Sequence, residues 1–289
     1  MTRAAHRLGL GTVQFGQAYG VSNTRGRVPV DDVAAILRRA AQAGVGTLDT
    51  AAGYGAAEDV LGGLTSLTEP FRVVTKTIAL KNSLDAVAAR ARQSVTTLGR
   101  KPVDLLLVHS AGDLIGEGGN ELWNALLELR DEGLFGGIGI SAYVADDPVM
   151  LARKFRPAAM QIPFSLLDQR LIQTGALAAL KDLGVEIHAR SLFLQGLLFL
   201  SDDKLPPKLA SAAGHLRKLR KTFQDAGTSP LAAALAFALE RPEIDVAVVG
   251  VTTPAEFEEI LTAAAIPAAS LNWSSLALND ELVLTPSRW

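Results

Sequence analysis

The stretch Asp104-Leu105-Leu106-Leu107-Val108-His109 shows the strand pattern on which the fold prediction rests. Its four central residues are all apolar, and no polar residue alternates between them. This pattern is typical of a parallel strand that is covered on both faces. Seven further runs of similar length recur along the chain, at residues 8–12, 46–50, 72–76, 137–141, 158–162, 186–191 and 247–251. The sequence therefore predicts eight parallel strands.

Helical patterns separate these strands. Residues 30–43 show the pattern clearly, with Val33, Ile36 and Leu37 at helical spacing and Gly44 just past the end. Further helices are predicted at residues 83–98, 120–132, 148–154, 173–183, 209–226 and 230–240. Alternating strands and helices form βαβ units, and eight such units close into a (β/α)8 TIM barrel of the α/β class. Residues 191–251 hold two helices where one is expected, which indicates an inserted segment.

The length and composition fit one barrel and exclude several other classes. A chain of 289 residues matches a single barrel domain over residues 1–289. The absence of cysteine excludes disulfides, a thiol nucleophile and cysteine-ligated zinc. No spacing of His, Asp and Glu suggests a metal site. The net charge of -2 provides no electrostatic footprint for nucleic acid or for an anionic membrane.

Targeting segments are not predicted either. The basic start of the chain is followed by an apolar stretch that Gly9, Gly11 and Gln14 interrupt, so no signal-peptide core is predicted. The longest apolar runs, residues 192–200 and 230–239, are shorter than the ~20 residues that span a bilayer. We expect a soluble, cytoplasmic protein with no membrane and no nucleic-acid partner.

The alternative fold is a doubly wound open sheet. A dinucleotide-binding sheet of that kind carries Gly-x-Gly-x-x-Gly after its first strand. Gly9-Leu10-Gly11 is followed by Gln14 where the third glycine belongs, and Gly137-Ile138-Gly139 is followed by Ala142. Neither segment matches, so the barrel remains the prediction.

Four chemically active side chains fall at or just beyond the ends of consecutive predicted strands. They are Asp49, Tyr54, Lys76 and His109. Strand ends build the active site in a barrel, so these side chains are expected to converge. A phenol with a pKa of about 10 becomes a useful proton donor when a cation lowers its pKa, and a carboxylate keeps a buried lysine charged. A neutral imidazole can donate a hydrogen bond to the same carbonyl oxygen.

Each of the four residues alone has an ordinary interpretation. His109 could be a packed histidine, Lys76 a surface lysine, Asp49 a strand-end cap and Tyr54 an exposed turn residue. Their occurrence together, in barrel order, favours acid–base chemistry on a carbonyl group.

The segment Leu48-Asp49-Thr50-Ala51-Ala52-Gly53-Tyr54-Gly55, with Glu58 following, resembles the signature of the aldo-keto reductases. The match extends over roughly residues 8–260. It includes segments similar to the lysine, histidine and nicotinamide-carboxamide motifs of that family: Val74-Thr75-Lys76, residues 104–109, Gly137-Ile138-Gly139-Ile140-Ser141, Met160-Gln161, Gly196-Leu197-Leu198 and Val249-Gly250.

The resemblance implies a (β/α)8 barrel that reversibly transfers hydride between NADH or NADPH and an aldehyde, ketone or sugar. It implies that Tyr54 is the general acid/base, that Lys76 and Asp49 tune its pKa, and that His109 orients the carbonyl. The expected substrate-contacting residues are Phe15, Tyr54 and His109. The expected cofactor-binding residues are Thr12, Ser141, Gln161, Arg190, Gly250, Thr252 and Glu256, with Ser141 and Gln161 holding the carboxamide.

Two positions depart from the family pattern near the nicotinamide. Ala142 follows Ser141 where members usually carry Asn, so one carboxamide hydrogen bond is in doubt. Arg190 stands where members usually place an aromatic ring. A guanidinium can stack on a ring, and it would then disfavour the cationic, oxidised nicotinamide. Alternatively, Arg190 could point away and bind an anionic group of the substrate.

The third departure concerns the adenosine end. Residues 250–259 contain no basic residue and three glutamates, although NADPH-dependent members usually place Arg or Lys there. Carboxylates oppose a second negative group, so the sequence leans toward NADH. Glu256 could accept a hydrogen bond from a ribose 2′-hydroxyl. Its simpler interpretation is the partner of Thr253 in a capping box, Thr253-Pro254-Ala255-Glu256.

Gln14 and Tyr19, together with Phe15, are expected at the pocket mouth, and Trp273 and Trp289 lie in a tail that often covers the substrate in this family.

The alternative function is a regulatory or redox-sensing protein that binds nicotinamide cofactor with weak or no turnover, and that hypothesis would allow a protein partner. A phosphate-binding lyase or isomerase has no support, because no glycine-rich phosphate loop follows the last two strands as expected.

Overall fold

Eight parallel strands form a closed barrel in chain order, β1 to β8, and β1 also pairs with β8. The computed structural model describes residues 5–289, without the side chains of Asn82 and Ser287. The strands are β1 Leu8–Gly11, β2 Thr47–Asp49, β3 Arg72–Lys76, β4 Leu105–Val108, β5 Ile138–Ser141, β6 Ala159–Pro163, β7 Glu186–Arg190 and β8 Val246–Gly250. The predicted (β/α)8 fold is confirmed. The single domain stays a prediction, and its residues 1–4, at the basic start of the chain, lie outside the described residues.

The helices cover the outside of the barrel. They are α1 Val13–Gly16, α2 Val30–Ala43, α3 Ala57–Gly62, α4 Thr65–Thr68, α5 Leu84–Leu98, α6 Gly112–Ile115, α7 Gly119–Asp131, α8 Pro148–Phe155, α9 Arg170–Gln173, α10 Ala176–Asp182, α11 Ala213–Asp225, α12 Pro230–Leu239 and α13 Pro254–Ala264. The main core lies between these helices and the strands. Within residues 5–289, no helix combines the length and apolarity needed to cross a membrane.

The barrel interior is filled by a separate small cluster of side chains. Val74 of β3, Leu105 and Leu107 of β4, and Ala159 of β6 form it, and all four are buried. A Cβ atom at Gly139 of β5 would lie 2.5 Å from the Ala159 carbonyl oxygen and 2.5 Å from a methyl group of Leu107. Glycine at this position therefore lets the leucines close the barrel below the site.

Two predicted helices differ from the structure. The pattern at residues 173–183 is divided into α9 and α10 by Gly175, which has φ +72 and interrupts the helix. The pattern at residues 209–226 begins as a 3-10 helix, Pro207–Ala212, and only α11 is α-helical. The predicted insertion is present, since residues 191–229 hold several 3-10 turns and α11 before α12 begins.

Candidate active site

The C-terminal ends of the strands surround a cavity of about 870 Å³. Its walls include Asp49, Tyr54 and His109, three of the four residues predicted to be catalytic. Tyr19 and Tyr143 also line it, so every tyrosine of the chain faces this one cavity. Its volume is in the range of small-molecule sites.

The turn that carries Tyr54 is held tightly against α1. A Cβ atom at Gly16 would lie 1.8 Å from the Tyr54 carbonyl oxygen and 2.5 Å from the Ala57 nitrogen. The Ala56 N–H donates to the Gly16 carbonyl at 3.3 Å. Only glycine permits this backbone approach, so α1 fixes the height of the tyrosine turn above the barrel.

A buried carboxylate anchors the helix that follows the tyrosine turn. Glu58 of α3 is buried and accepts hydrogen bonds from Thr75 of β3 at 2.6 Å, from Arg90 of α5 at 2.6 Å and from Ser94 of α5 at 3.1 Å. These charge-assisted bonds tie α3 to the strand that carries Lys76. They therefore couple the position of the tyrosine turn to that of the lysine.

Lys76 is the centre of the site. Its side chain is 1% exposed, and its Nζ donates to Asp49 Oδ2 at 2.7 Å, to the Thr50 carbonyl at 2.8 Å and to the Tyr54 hydroxyl at 3.2 Å. These three acceptors satisfy all three protons of an ammonium group. Nζ also lies 4.7 Å from the centroid of the Tyr54 ring.

Asp49 uses both of its carboxylate oxygens. Lys76 occupies Oδ2, and Gln161 Nε2 donates to Oδ1 at 2.6 Å. Because a carboxylate only accepts, the Gln161 amide must present its N–H to Asp49. The carbonyl oxygen of Gln161 is then the end left for another ligand.

Opposing effects act on the lysine. Burial alone would lower the pKa of Lys76, but the attraction of Asp49 and Tyr54 and the hydrogen bonds to both residues outweigh it, so the pKa lies above its ordinary value of 10.5. Lys76 is therefore an ammonium group throughout the physiological range. It is placed to stabilise negative charge on the tyrosine oxygen.

His109 follows β4 and is neutral. Burial, and then the positive charge of Lys76, lower the pKa of His109 from 6.5 to about 4. Its backbone N–H donates to Thr77 Oγ1 at 3.2 Å, and its ring meets the Tyr54 ring edge to face at 5.7 Å. A neutral imidazole beside a phenol can donate a hydrogen bond to the same ligand oxygen.

The two residues predicted to hold a carboxamide lie side by side. Ser141 of β5 and Gln161 of β6 are paired in register, and both line the cavity. The Ser141 hydroxyl makes no hydrogen bond to another described residue. Together with the free oxygen of Gln161, it provides the donor and the acceptor that a carboxamide requires. These residues therefore fit the nicotinamide end of a cofactor.

Arg190 of β7 stacks on a ring of the protein. Its guanidinium carbon lies 4.3 Å from the centroid of the Tyr143 ring. Its hydrogen bonds to Ser191 Oγ and to the Ala142 carbonyl are both long, at 3.5 Å. Tyr143 lies two residues beyond Ser141, just past the end of β5. Because strand ends build the site in a barrel, its position could have indicated it, but the prediction did not include it.

Thr12 and Gly250 lie where β1 and β8 end, and both line the cavity. The Thr12 hydroxyl donates to the Asp49 carbonyl at 3.1 Å, so it is already engaged within the protein. A Cβ atom at Gly250 would lie 2.8 Å from the Gln14 side-chain nitrogen. The buried Gln14 Oε1 has no hydrogen-bond partner within the described residues.

The capping box at α13 forms only in part. Thr253 Oγ1 accepts from the Glu256 N–H at 3.0 Å, as predicted. The carboxylate of Glu256 instead accepts from the Thr252 N–H at 2.6 Å and from the Thr252 hydroxyl at 2.8 Å. Glu256, Thr252 and Glu259 all line the cavity. A capping box would pair the carboxylate of Glu256 with the Thr253 N–H, but the carboxylate is bound to the preceding residue, Thr252, at the edge of the cavity.

Phe15 lies elsewhere than expected, and neither Trp273 nor Trp289 of the C-terminal tail lines the cavity. Phe15 is fully buried in the core and does not line the cavity, because α1 turns its side chain inward. Trp273 packs on Phe237 at 5.5 Å, and Trp289 bonds to the Leu282 carbonyl. Of the residues predicted at the pocket mouth, Gln14 and Tyr19 line the cavity.

Metal ligands do not cluster in the part of the chain that the structure describes: no group of three His, Asp or Glu side chains is placed to hold an ion. His188 and His215 have neutral or acidic neighbours of their own. His188 Nε2 lies 2.9 Å from Glu186, and His215 Nε2 lies 2.9 Å from the Leu276 carbonyl. Neither histidine lines the cavity.

Comparison with known proteins agrees with this fold. The model of the Aldo/keto reductase family matches residues 7–277. No curated protein sequence matches the chain significantly. A structure from Pseudomonas aeruginosa, described as an aldo-keto reductase, superposes with a TM-score of 0.66 at 22% identity, over 90% of this chain and 89% of that one. The holo form of an aldo-keto reductase from Bacillus halodurans gives a TM-score of 0.74 at 18% identity, over 93% and 90%. At these identities the two structures show a common fold alone.

Proposed function

The chain belongs to the aldo/keto reductase family of oxidoreductases, and from this premise we propose that it reduces an aldehyde, ketone or sugar carbonyl with a nicotinamide cofactor and Tyr54 as the acid. The observation that supports the proposal is the contact of the fully buried Lys76 with both Asp49 and Tyr54. Burial of an ammonium group costs desolvation free energy, and buried charged groups with specific partners in a cleft are concentrated at functional sites.

In this proposal, the carbonyl oxygen of the substrate lies between Tyr54 and His109. The imidazole of His109, which is neutral at pH 7 because its pKa is about 4, donates a hydrogen bond to that oxygen. Tyr54 gives its proton to the oxygen as negative charge develops there, and the ammonium of Lys76 stabilises the phenolate that remains. Asp49 keeps Lys76 charged during this transfer. In the oxidative direction the same phenolate accepts the proton.

A bound nicotinamide cofactor would supply the hydride. Ser141 and Gln161 would hold its carboxamide, since the first offers a free hydroxyl and the second a free carbonyl oxygen. Gln161 also donates to Asp49, so one side chain would link the cofactor site to the charge pair below Tyr54. Cofactor binding and the charge state of Lys76 would then be connected through a single amide.

We propose NADH as the preferred cofactor. Arg190 is the only Arg or Lys among the described residues that line the cavity, whereas Glu256 and Glu259 line it beside β8. Arg39 of α2 approaches α13 but pairs with Glu258, so its charge is already neutralised. The 2′-phosphate on the ribose of NADPH would lie near these carboxylates, and no unpaired cation would be available there to offset the repulsion. Titration of the protein with NADH and NADPH tests this preference, and tighter binding of NADPH would contradict it.

The experiment that tests turnover follows cofactor oxidation with a panel of aldehydes, ketones and sugars. The wild-type protein should oxidise the reduced cofactor, whereas Tyr54→Phe should lose about 100-fold or more in kcat, because it retains the ring but lacks the proton. Both proteins should bind the cofactor equally, which is measured by fluorescence titration. Equal turnover by the two proteins would contradict the role of Tyr54.

A regulatory protein that senses the redox state of the cofactor is the second candidate. The observation that favours it is Arg190, a cation where the family usually stacks an aromatic ring. Cofactor binding without turnover of any carbonyl in the panel would favour the sensor and a protein partner. The small-molecule carbonyl partner and the cytoplasmic location remain predictions.

A further inference from the structure

Arg190 carries a positive charge that nothing in the described structure neutralises. No Asp or Glu side chain within residues 5–289 forms an ion pair with it, whereas thirteen other Lys or Arg side chains in the same range have such a partner. It is also partly withdrawn from solvent within the cavity wall. A desolvated charge without a counter-ion costs free energy, so a site of this kind favours an anionic ligand.

The guanidinium is oriented rather than free. Tyr143 stacks against one face at 4.3 Å, which leaves the edge with its N–H donors as the part that can bind. Only two of the five N–H donors have acceptors among the described residues, and both bonds are 3.5 Å long. A guanidinium with a fixed plane and unused donors matches the bidentate geometry of a carboxylate or phosphate.

The position of Arg190 relative to the reacting groups points to the substrate. Its charge reaches His109 and Tyr19, which line the same cavity. The nearby pair of Lys76 and Asp49 is neutral as a whole, and His109 is uncharged at pH 7. Arg190 is therefore the one net positive charge at the reacting end of the described cavity.

We propose that Arg190, supported by Tyr143, binds an anionic group of the substrate, so that the preferred substrates are carbonyl compounds that also carry a carboxylate or a phosphate. This inference rests on the proposed function, because it assigns the substrate class of the same site. The ring that usually stacks at this position is replaced by a cation that pairs with the anion while the carbonyl lies at Tyr54.

The test compares matched substrates that differ in one charged group. Succinic semialdehyde and its amide form the carboxylate pair, and glyceraldehyde phosphate and glyceraldehyde form the phosphate pair. For the wild-type protein, kcat/KM for the anionic member of at least one pair should exceed that for the neutral member by about 10-fold or more. The pair that shows the preference identifies the anion. Added salt should reduce the preference, because it screens the charge.

The variants Arg190→Gln and Arg190→Lys complete the test. In Arg190→Gln the ratio of the two kcat/KM values should fall by about 10- to 100-fold, and in Arg190→Lys it should fall less, because the charge remains without the planar fork. The ratio is insensitive to partial misfolding, which lowers both values together. A measurement of NADH affinity for each variant shows whether the cofactor is affected.

Three results would overturn the inference: no preference for either anion, an unchanged ratio in Arg190→Gln, or a loss of NADH affinity that accounts for the whole effect. If both members of a pair are reduced equally, the inference fails while the proposed function stands. If no carbonyl compound is reduced, the proposed function fails, and the inference fails with it.

Discussion

Replacing Asp49 with Asn tests whether the charge of Lys76 depends on its buried partner. The substitution keeps the shape of the side chain and one acceptor oxygen, but it removes the negative charge 2.7 Å from Nζ. The new amide also offers a donor where Gln161 now donates to Oδ1, so Gln161 must turn its amide. Lys76 therefore keeps two neutral acceptors besides the new oxygen, the Thr50 carbonyl and the Tyr54 hydroxyl.

The expected cost follows from the burial of the lysine. Removal of one partner from a buried ion pair costs about 3–5 kcal/mol, because the other charge stays desolvated. Lys76 can instead lose its proton, and at pH 7 this costs a group with a pKa of 10.5 about 5 kcal/mol. The smaller of these costs applies. We therefore expect Asp49→Asn to lower the free energy of unfolding by about 3–5 kcal/mol at pH 7 and to lower kcat by about 100-fold or more.

The stability of the wild type and that of Asp49→Asn should depend on pH in different ways. In the wild-type protein the pKa of Lys76 is raised on folding, so its contribution is fully present below 10.5 and is lost only as the pH rises through the folded value. In Asp49→Asn the folded pKa falls below 10.5, so that protein gains stability as the pH rises toward 10.5. The difference between the two proteins should therefore narrow between pH 7 and pH ~10.

Denaturant unfolding, followed by tryptophan fluorescence at several pH values, measures this difference. The double variant Asp49→Asn with Lys76→Met is the control. The double variant should lose less free energy of unfolding than the two single variants lose in sum, by about 2 kcal/mol or more, because the two groups interact directly. Two results would refute the reasoning that Asp49 maintains the charge of Lys76. One is a stability difference between wild type and Asp49→Asn that stays constant over the pH range, and the other is full additivity of the two single losses in unfolding free energy.

Three further predictions concern His109, Gly16 and Glu58. His109 has a pKa of about 4 in the folded protein, so stability is lost as the pH falls from 6.5 to 4; denaturant unfolding should show that the wild type loses about 3 kcal/mol more than His109→Gln over this range. Gly16→Ala forces the Tyr54 turn away from α1 and should lower kcat about 10-fold or more, whereas Gly214→Ala, which meets nothing within 4 Å, should keep wild-type kinetics. Glu58→Gln should lower the melting temperature, measured calorimetrically, by several degrees, as expected for a loss of about 2–3 kcal/mol from a buried charge-assisted network.

The strands were predictable because burial on both faces leaves an unbroken apolar pattern. Every predicted strand is present, and its bounds agree within two residues. Parallel strands end at the same side of a barrel, so the positions of Asp49, Lys76 and His109 at strand ends predicted that they lie close together. Tyr54 lies at the same side because the turn that joins it to β2 is short. Local pattern and barrel topology suffice for these residues, since the order of the strands is the order of the chain.

The remaining features depend on contacts that local patterns do not encode. Phe15 was expected at the pocket mouth, but four residues after β1 form a single helical turn that directs its side chain into the core. The bond from Glu256 to Thr252 differs from a capping box by one residue, and propensity does not distinguish the two. The stacking of Arg190 on Tyr143 joins residues from β7 and from the loop after β5, which only the closed barrel places together.

The distribution of charge in the cavity links the two specificity proposals. Lys76 and Asp49 neutralise each other, so they can serve proton transfer without attracting an ion. The remaining charges belong to different elements: Arg190 lies at the end of β7, and Glu256 and Glu259 lie on α13 after β8. A cation at the reacting end favours an anionic substrate, and the carboxylates on α13 disfavour an extra phosphate on the cofactor. Because separate residues carry these effects, Arg190→Gln should change the substrate ratio without changing the ratio of NADH to NADPH affinity, whereas Glu259→Gln should do the reverse.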